Sequence, residues 1–284
     1  MKTLAKIAFI AFMLYLVLTG EAMTKVSLQK ALDKKMVKIS ATCKGGLELN
    51  LNCQNLLKDS LSIIIPEGWR FNSDAGKTDY QDILLTQHYI INLKGNQIQS
   101  LIVNGYCCEA TKLSPQKGIN YTVGKLADSN LVQLARYLQI QKVDNNTQQY
   151  SVWAISDGKE TSNITASNDS IAALIRNVVA KIKGEPLPWY TLLKKANFSD
   201  GMMVNDKPIR FKADIVANTT NKCYTYCYVT DEKGTIVSAI QGNWLYPDKP
   251  DYKAIFNVFH LKKGTYNLVL ESNNTALFQK EFKI

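Results

Sequence analysis

The residues of this chain best suited to chemistry are a cysteine and a glutamine near its middle. Cys107 is followed directly by Cys108, and Gln149 lies farther along the chain. A cysteine thiol and a glutamine carboxamide can condense with loss of ammonia to an internal thioester, an electrophile that acylates an amine or a hydroxyl. We therefore interpret Cys107 and Gln149 as a candidate reactive pair.

Aromatic side chains lie next to both members of this pair in the sequence. Tyr106 precedes the cysteine, and Tyr150 and Trp153 follow the glutamine. Such rings can exclude water from a bond that otherwise hydrolyses. In the structural alternative, Trp153 belongs to the buried stripe of a short helix, the glutamine caps that helix, and the cysteines form a disulfide or stay buried thiols.

The helix expected around Gln149 bears on the reactivity of the thiol. Thr147 is the expected N-cap, which places Gln149 in the first turn, and Asp157-Gly158 is the expected end. Unpaired backbone amides of a first turn favour negative charge. A thiol that faces this turn would have a lowered pKa, and the thiolate is the nucleophile.

The cysteines leave several pairings open. They are Cys43, Cys53, Cys107, Cys108, Cys223 and Cys227. Six cysteines allow about 15 connectivities. Cys107 and Cys108 could form a strained vicinal disulfide, or either could pair with Cys43 or Cys53. Cys223 and Cys227 lie too far apart along one strand to bridge each other. With two histidines and no C-x-x-C pair, no metal site is predicted.

The segment from Tyr106 to Gly158 resembles the bacterial thioester domain. A Tyr-Cys pair is followed by a Pro-Gly turn region, a Leu-rich helix, and then Gln, an aliphatic residue and Trp. The family is known for a Thr-Gln-x-Ala motif that continues into Ile-Trp. By this resemblance Cys107 is the thioester cysteine, Gln149 is the thioester glutamine, and Val152 and Trp153 match the aliphatic and aromatic pair.

The sequence departs from the family pattern at three positions. Gln148 stands in place of the usual Thr, Ser151 in place of the usual Ala, and Cys108 where a residue other than cysteine is expected. The resemblance implies a secreted or surface-displayed protein that attaches covalently to amines of a host or matrix.

The beginning of the chain predicts export. Lys2 and Lys6 precede an apolar run from Ile7 to Leu18, and small residues follow, so residues 1–22 are interpreted as a signal peptide. The apolar run is shorter than the roughly 20 residues that span a bilayer. The expected location is therefore the medium or the cell envelope, in the periplasm or on the outer surface, with no membrane span after cleavage.

Charge and composition exclude some classes of protein. The formal net charge of the 284 residues is +10, but the lysines are scattered rather than clustered. A nucleic-acid surface needs concentrated basic residues with interleaved aromatics, so no nucleic-acid partner is predicted. The charge instead predicts weak attraction to acidic surfaces such as anionic polysaccharide.

The fold class predicted from periodicity is α+β, in two domains. Residues 23–185 begin with short alternating runs typical of an antiparallel β-sandwich or barrel and end with a three-helix subdomain. Its last helix is expected at about Asp169 to Lys183, stopped by Gly184. Residues 186–197, which contain two prolines, are predicted as a linker.

Residues 198–284 are predicted to form an immunoglobulin-like β-sandwich of six short strands, one of them at Thr235–Ile240. Several aromatic residues in this half could form one exposed face for carbohydrate stacking, or could be ordinary strand packing. They are Tyr224, Tyr226, Tyr228, Trp244 and Tyr246.

These features together predict a secreted or cell-envelope adhesin-like protein. A Cys107–Gln149 thioester would attach it covalently to amines of a host or matrix protein or polysaccharide. The alternative is a non-catalytic carbohydrate- or protein-binding or structural module that keeps the fold without the bond. No Ser-His-Asp triad and no phosphate-binding loop is found, so neither an enzyme nor a cofactor is predicted.

Overall fold

The computed structural model describes residues 23–73, 80–141, 143–199, 202–238 and 241–284. The predicted signal peptide, residues 1–22, lies outside the described residues. The protein is mostly β, with 46% of residues in strands and 20% in helices. The strands form several sheets, one of them curled into a half-barrel, and the helices are few.

The first half of the chain contains ten strands within the described ranges. They are β1 Thr24–Ser27, β2 Val37–Gly45, β3 Glu48–Asn55, β4 Leu61–Ile65, β5 Trp69–Ser73, β6 Ile83–Leu84, β7 Tyr89–Leu93, β8 Ile98–Asn104, β9 Tyr106–Cys107 and β10 Asn120–Leu126. The helices are α1 Leu28–Asp33, α2 Ser129–Ile140, α3 Asn145–Ser156 and α4 Asp169–Lys183, with a 3-10 turn at Thr161–Asn163.

The strands of the second half follow α4 directly. They are β11 Tyr190–Ser199, β12 Met202–Val216, β13 Cys223–Asp231, β14 Gln241–Leu245, β15 Asp251–Asn257, β16 Thr265–Ser272 and β17 Thr275–Lys283. Residues 190–197, predicted as part of a linker, therefore belong to β11, where Leu192 is fully buried against the neighbouring strands. The two prolines that suggested a linker lie before this strand.

Four sheets organise these strands. Their spatial orders are β1-β4-β7, β8-β3-β2-β10-β5-β6-β9, β11-β12-β15 and β14-β13-β16-β17. The pairing is antiparallel except between β1 and β4, which run parallel. The short strand β9, which contains Cys107, is at one edge of the seven-stranded sheet and pairs with β6.

Helix boundaries follow the capping residues. Asp128 caps α2, and its carboxylate accepts hydrogen bonds from the backbone amides of Asn130 and Leu131. Helix α4 spans Asp169–Lys183, as predicted, and ends at Gly184, which has a φ of 68°. A residue without a Cβ adopts this left-handed conformation at little cost.

Helix α3 begins earlier than predicted. Asp144 is its N-cap, since the Asp144 carboxylate accepts hydrogen bonds from the Thr147 backbone amide at 2.9 Å and from the Thr147 hydroxyl at 2.7 Å. The prediction of Thr147 as the cap was wrong because the carboxylate of Asp144, three residues upstream, accepts from the Thr147 amide and so starts the helix earlier. Gln149 therefore lies in the second turn rather than the first. The predicted end at Asp157-Gly158 is confirmed, with Gly158 at a φ of 64°.

Three hydrophobic clusters fill the described parts of the molecule. The first lies among the strands of the first half and includes Trp69, Phe71 and Cys107. The second belongs to the second half, around Phe211. The third packs α2, α3 and α4 against Tyr106 and neighbouring residues. No helix in the described ranges is long and apolar enough to cross a membrane.

One predicted strand of the second half is misplaced. The expected strand at Thr235–Ile240 contributes only an isolated bridge between Thr230 and Ile236, while β14 begins after it, at Gln241. Residues 239–240 lie outside the described ranges. After the turn at Asp231 the chain pairs with the end of β13 only briefly: the Asp231 amide donates to the Thr235 carbonyl and the Val237 amide donates to the Val229 carbonyl, each at 2.9 Å.

Candidate functional site

Gln149 and Cys107 meet at the edge of the seven-stranded sheet. The backbone amide of Cys107 donates to Oε1 of Gln149 at 3.0 Å, and Nε2 of Gln149 donates to the carbonyl of Cys107 at 2.8 Å. Strand β9 has β6 on its other side. The glutamine carboxamide thus occupies the place that a further strand would take, and it satisfies both polar groups of this edge residue.

Helix α3 follows the segment 106–110 along most of its length. The Tyr106 hydroxyl donates to Asn145 Oδ1 at 2.9 Å, near the start of the helix. At its end, the Ser156 hydroxyl donates to the Cys108 carbonyl at 2.6 Å, and the Asp157 carboxylate accepts from the Ala110 amide at 3.1 Å. Residues spaced by about one helical turn lie on the same face. One face of α3 therefore fixes Cys107 and its neighbours from both ends.

Trp153 lies on this same face, four residues after Gln149. Its side chain is 6% exposed and packs in the cluster that contains Cys107. Its indole N–H is buried and has no hydrogen-bond acceptor among the described residues. An unpaired buried donor costs about 1–3 kcal/mol. The site therefore contains a free donor one turn from the carboxamide.

The two adjacent cysteines face different cores. Cys107 packs in the strand cluster, whereas Cys108 packs in the helix cluster. All six cysteines are free thiols, and no two of them lie at disulfide distance. The opposite orientation of neighbouring residues follows from the alternation of side chains along an extended chain. Cys107 is therefore the thiol on the sheet side of the segment, and Cys108 is a packed core residue.

The environment of Cys107 keeps its thiol protonated. Its pKa is raised to about 12, chiefly by burial and further by the Glu109 carboxylate and the Cys43 thiol. The expectation of a lowered pKa was wrong, because the thiol loses its hydration and does not face the first turn of a helix. At neutral pH Cys107 is therefore present as the thiol rather than the thiolate.

The three predicted shielding residues surround the pair unevenly. Tyr106 and Trp153 are buried, and Tyr150 is half-buried. The Tyr150 and Trp153 rings are 5.5 Å apart and nearly perpendicular, at 88°. Tyr150 also packs at the border of both first-half clusters. Water reaches this region poorly, as a thioester requires.

A charged cluster holds the other side of the segment. Arg70 pairs with the carboxylates of Asp82 and Glu109, and Glu109 also accepts from the backbone amide of Asp82 at 2.8 Å. Arg70 belongs to β5, Asp82 directly precedes β6, and Glu109 is the second residue after β9. Sequence inspection missed all three because nothing in their local pattern indicates that they meet.

The neighbouring glutamine has a different role. Gln148 is buried; its Oε1 accepts from the Thr86 hydroxyl at 2.8 Å and its Nε2 donates to the Val143 carbonyl at 3.1 Å. It also lines a cavity of about 520 Å³ beside the first turn of α3, together with Tyr106 and Asn145. Both of its polar atoms are thus engaged in packing the helix start, which leaves Gln149 as the glutamine at Cys107.

Comparison with known proteins provides no further guide to this site. No protein-family model matches the chain, and no curated protein matches it. Within the described ranges, no group of three or more His, Cys, Asp or Glu side chains is placed to hold a metal ion. The case for a function therefore depends on the contacts around Cys107.

Proposed function

We propose that Cys107 and Gln149 condense to an internal thioester and that the protein attaches itself covalently to amines of its partners. The observation that carries this proposal is the pair of hydrogen bonds between the Gln149 carboxamide and the backbone of Cys107. They hold the electrophilic carbon beside the residue that bears the thiol. Holding two reacting groups together replaces an encounter by an intramolecular step.

The condensation is balanced without a cofactor. The Cys107 sulfur bonds to the carboxamide carbon of Gln149, the carbon–nitrogen bond breaks, and the thiol proton leaves with the nitrogen as ammonia. The Cys107 amide donates to Oε1, the oxygen on which negative charge develops during attack. A fixed donor at that oxygen lowers the barrier. The Trp153 N–H is a second donor on the same helix face.

Attachment to a partner breaks the thioester and forms an amide bond. A partner amine attacks the same carbonyl carbon, the carbon–sulfur bond breaks, and the Cys107 sulfur takes up the proton that the amine loses. The product is an amide between position 149 and the partner. Burial disfavours the thiolate of Cys107, whose pKa is raised to about 12, so the sulfur leaves slowly and the bond resists hydrolysis.

We propose that this reaction takes place after export, at the cell surface or in the medium, on a host or matrix protein or polysaccharide. The predicted signal peptide supports this location. In the second half, sheets β11-β12-β15 and β14-β13-β16-β17 share the cluster around Phe211. This shared core supports an immunoglobulin-like sandwich that spaces the reactive half from its attachment point.

The test is the intact mass of the exported full-length protein. A thioester lowers the mass by about 17 Da relative to the sequence, and methylamine then adds about 31 Da. A hydrolysed bond leaves a glutamate at position 149, about 1 Da heavier than glutamine. We expect the first signature in the untreated wild type and the second after methylamine, with the glutamate mass as the product of a bond that has hydrolysed; Gln149→Ala and Cys107→Ala should show none of the three.

Cys108→Ala is the matched control, since it removes the adjacent thiol from the other core. We expect it to retain the mass deficit and the methylamine adduct. A wild-type protein with the full mass and no adduct would overturn the thioester. Gln149 would then only complete the hydrogen bonds of the sheet edge, and the protein would be the non-covalent module.

A further inference from the structure

An exposed aromatic surface lies on the outer face of β13 and β14, remote in sequence from Cys107. Residues of β13 alternate: Thr225 and Cys227 are buried, whereas Tyr224 and Tyr226 are 40% and 46% exposed. Trp244 of β14 is 48% exposed. Ordinary strand packing therefore does not account for these rings, since they point away from the core. Large exposed aromatics grouped on one face indicate a binding surface.

The rings form one continuous surface. Tyr224 pairs in register with Trp244, and Tyr226 with Gly242. The ring centroid of Tyr224 is 5.3 Å from that of Tyr226 and 5.2 Å from that of Trp244, and both neighbours stand nearly perpendicular to it, at 79° and 75°. Tyr224 thus lies between two rings that are nearly perpendicular to it, so the surface presents aromatic faces in two orientations.

The absence of a side chain at Gly242 leaves room for the Tyr224 ring. A Cβ at this glycine would lie 2.2 Å from the Tyr224 hydroxyl oxygen and 2.8 Å from its ring carbon Cζ. The tyrosine ring therefore covers the backbone of β14, which any side chain at position 242 would prevent. The ring is seated in the sheet before a ligand arrives, so little conformational entropy is lost on binding.

Charged groups border the rings at both ends. The Lys222 ammonium is 4.4 Å from the centroid of Trp244 and 5.0 Å from that of Tyr246. At the other end, Glu271 is opposite Tyr226 in register and accepts from the Tyr228 hydroxyl at 2.7 Å. The carboxylate is thus engaged with a tyrosine of its own sheet, whereas the ammonium is placed over the exposed rings. The positive end of the surface is therefore at Lys222, beside Trp244 and Tyr246.

We infer that this surface binds an acidic polysaccharide, one whose sugar units carry carboxylates. The apolar C–H faces of sugar rings stack on aromatic faces, whose electron density is negative. The sugar carboxylate pairs with Lys222, and the net charge of +10 draws the polyanion toward the protein. A second copy of the chain is the competing occupant, and its contact through this face is tested separately below.

Binding of polygalacturonate to the full-length protein tests this inference. The matched probes are its carboxyl-reduced form, which keeps the sugar rings, and polyglutamate, which keeps the charge. We expect polygalacturonate to bind at least about tenfold more tightly than either, since the surface offers both stacking and charge. Equal binding of polyglutamate would show attraction to charge alone. Equal binding of the carboxyl-reduced polymer would show that Lys222 does not select for sugar carboxylates. Either result, or no binding, overturns the inference.

Variants locate the site. Trp244→Ala and Lys222→Ala should each weaken polygalacturonate binding about tenfold. Phe259→Ala is the control for Trp244, since Phe259 is 50% exposed and has Lys207 near its ring at 5.9 Å. Lys233→Ala is the control for Lys222 and changes the net charge equally. Both controls should bind as the wild type does. Losses equal to those of Trp244→Ala and Lys222→Ala would overturn the assignment to this face.

The inference does not depend on the thioester. Gln149→Ala should bind polygalacturonate as the wild type does, whether or not the wild type carries the bond. Sedimentation of the wild type and Trp244→Ala distinguishes the other occupant of the surface. A dimer that forms with rising concentration and disappears in Trp244→Ala would assign the aromatic face to a second copy and overturn the inference.

Discussion

At the scale of single residues, the feature of the site that needs an explanation is the unpaired indole N–H of Trp153. It is buried beside the cluster that holds Cys107, and four residues before it Gln149 contacts the Cys107 backbone. Buried polar groups almost always have partners. The proposed thioester gives this N–H a role, as a donor to the oxygen that gains charge during acyl transfer.

Trp153→Phe removes this donor and keeps an aromatic ring in the core. We expect the thioester mass deficit to persist, because the ring still excludes water, and the reaction with methylamine to slow by on the order of 10². Mass spectrometry over time measures both. Tyr150→Phe, which also removes a polar atom from this region but not one aligned with Gln149, is the control. An unchanged methylamine rate in Trp153→Phe would rule out the donor role.

At the scale of elements, α3 positions the site by its whole face rather than by one residue. Asn145, Gln149, Ser156 and Asp157 all contact the segment 106–110. The start of this helix depends on Asp144, whose carboxylate satisfies the Thr147 amide and hydroxyl. A loosened first turn would therefore shift the carboxamide away from Cys107.

The caps of α2 and α3 offer a matched pair of variants. Asp144→Ala and Asp128→Ala each remove one N-cap and should each lower the free energy of unfolding by about 1 kcal/mol. Only Asp144→Ala should also lower the fraction of protein with the thioester, because α3 carries Gln149 and α2 does not. Chemical denaturation and intact mass check the two effects. Equal loss of thioester in both variants would mean that general stability, not helix position, controls the bond.

At the scale of the whole molecule, Cys107 and the aromatic surface lie on parts of the chain with different hydrophobic cores. Phe71 is fully buried in the cluster that contains Cys107, and Phe211 is fully buried in the cluster of the second half. Phe211 is in ring contact with Phe256, Phe282 and others. The halves also touch, since Lys212 of β12 pairs with Asp169 at the start of α4.

The two phenylalanines test how far the halves are independent. Phe71→Ala and Phe211→Ala should each cost about 3–5 kcal/mol of the stability of their own core. We expect Phe71→Ala to lose the methylamine adduct and keep polygalacturonate binding, and Phe211→Ala to do the reverse. The adduct mass and the binding isotherm, measured below the unfolding midpoint of each variant, check this. Loss of both activities in both variants would show a single cooperative unit.

The local pattern predicted several parts of this structure correctly. Periodicity and capping placed α4 at Asp169–Lys183 with Gly184 as its end, and placed the end of α3 at Asp157-Gly158. Both signals lie within a few neighbouring residues. The strands β5 and β10 were not predicted, because Trp69–Ser73 is short and follows the turn at Gly68, and Asn120–Leu126 contains Gly124.

What the sequence by itself determined is which residue types are candidates for chemistry and which of them share one face of an element. Gln149 and Trp153 share a face because a helix repeats every 3.6 residues, and Tyr224 and Tyr226 share one because a strand repeats every two. Only the tertiary structure decided what meets those faces. It brought Cys107 to Gln149, turned Cys108 to the other core, and joined Arg70, Asp82 and Glu109 from three separate elements. The reason is physical: periodicity reports that a face is buried, but the segment that covers it is chosen by long-range packing.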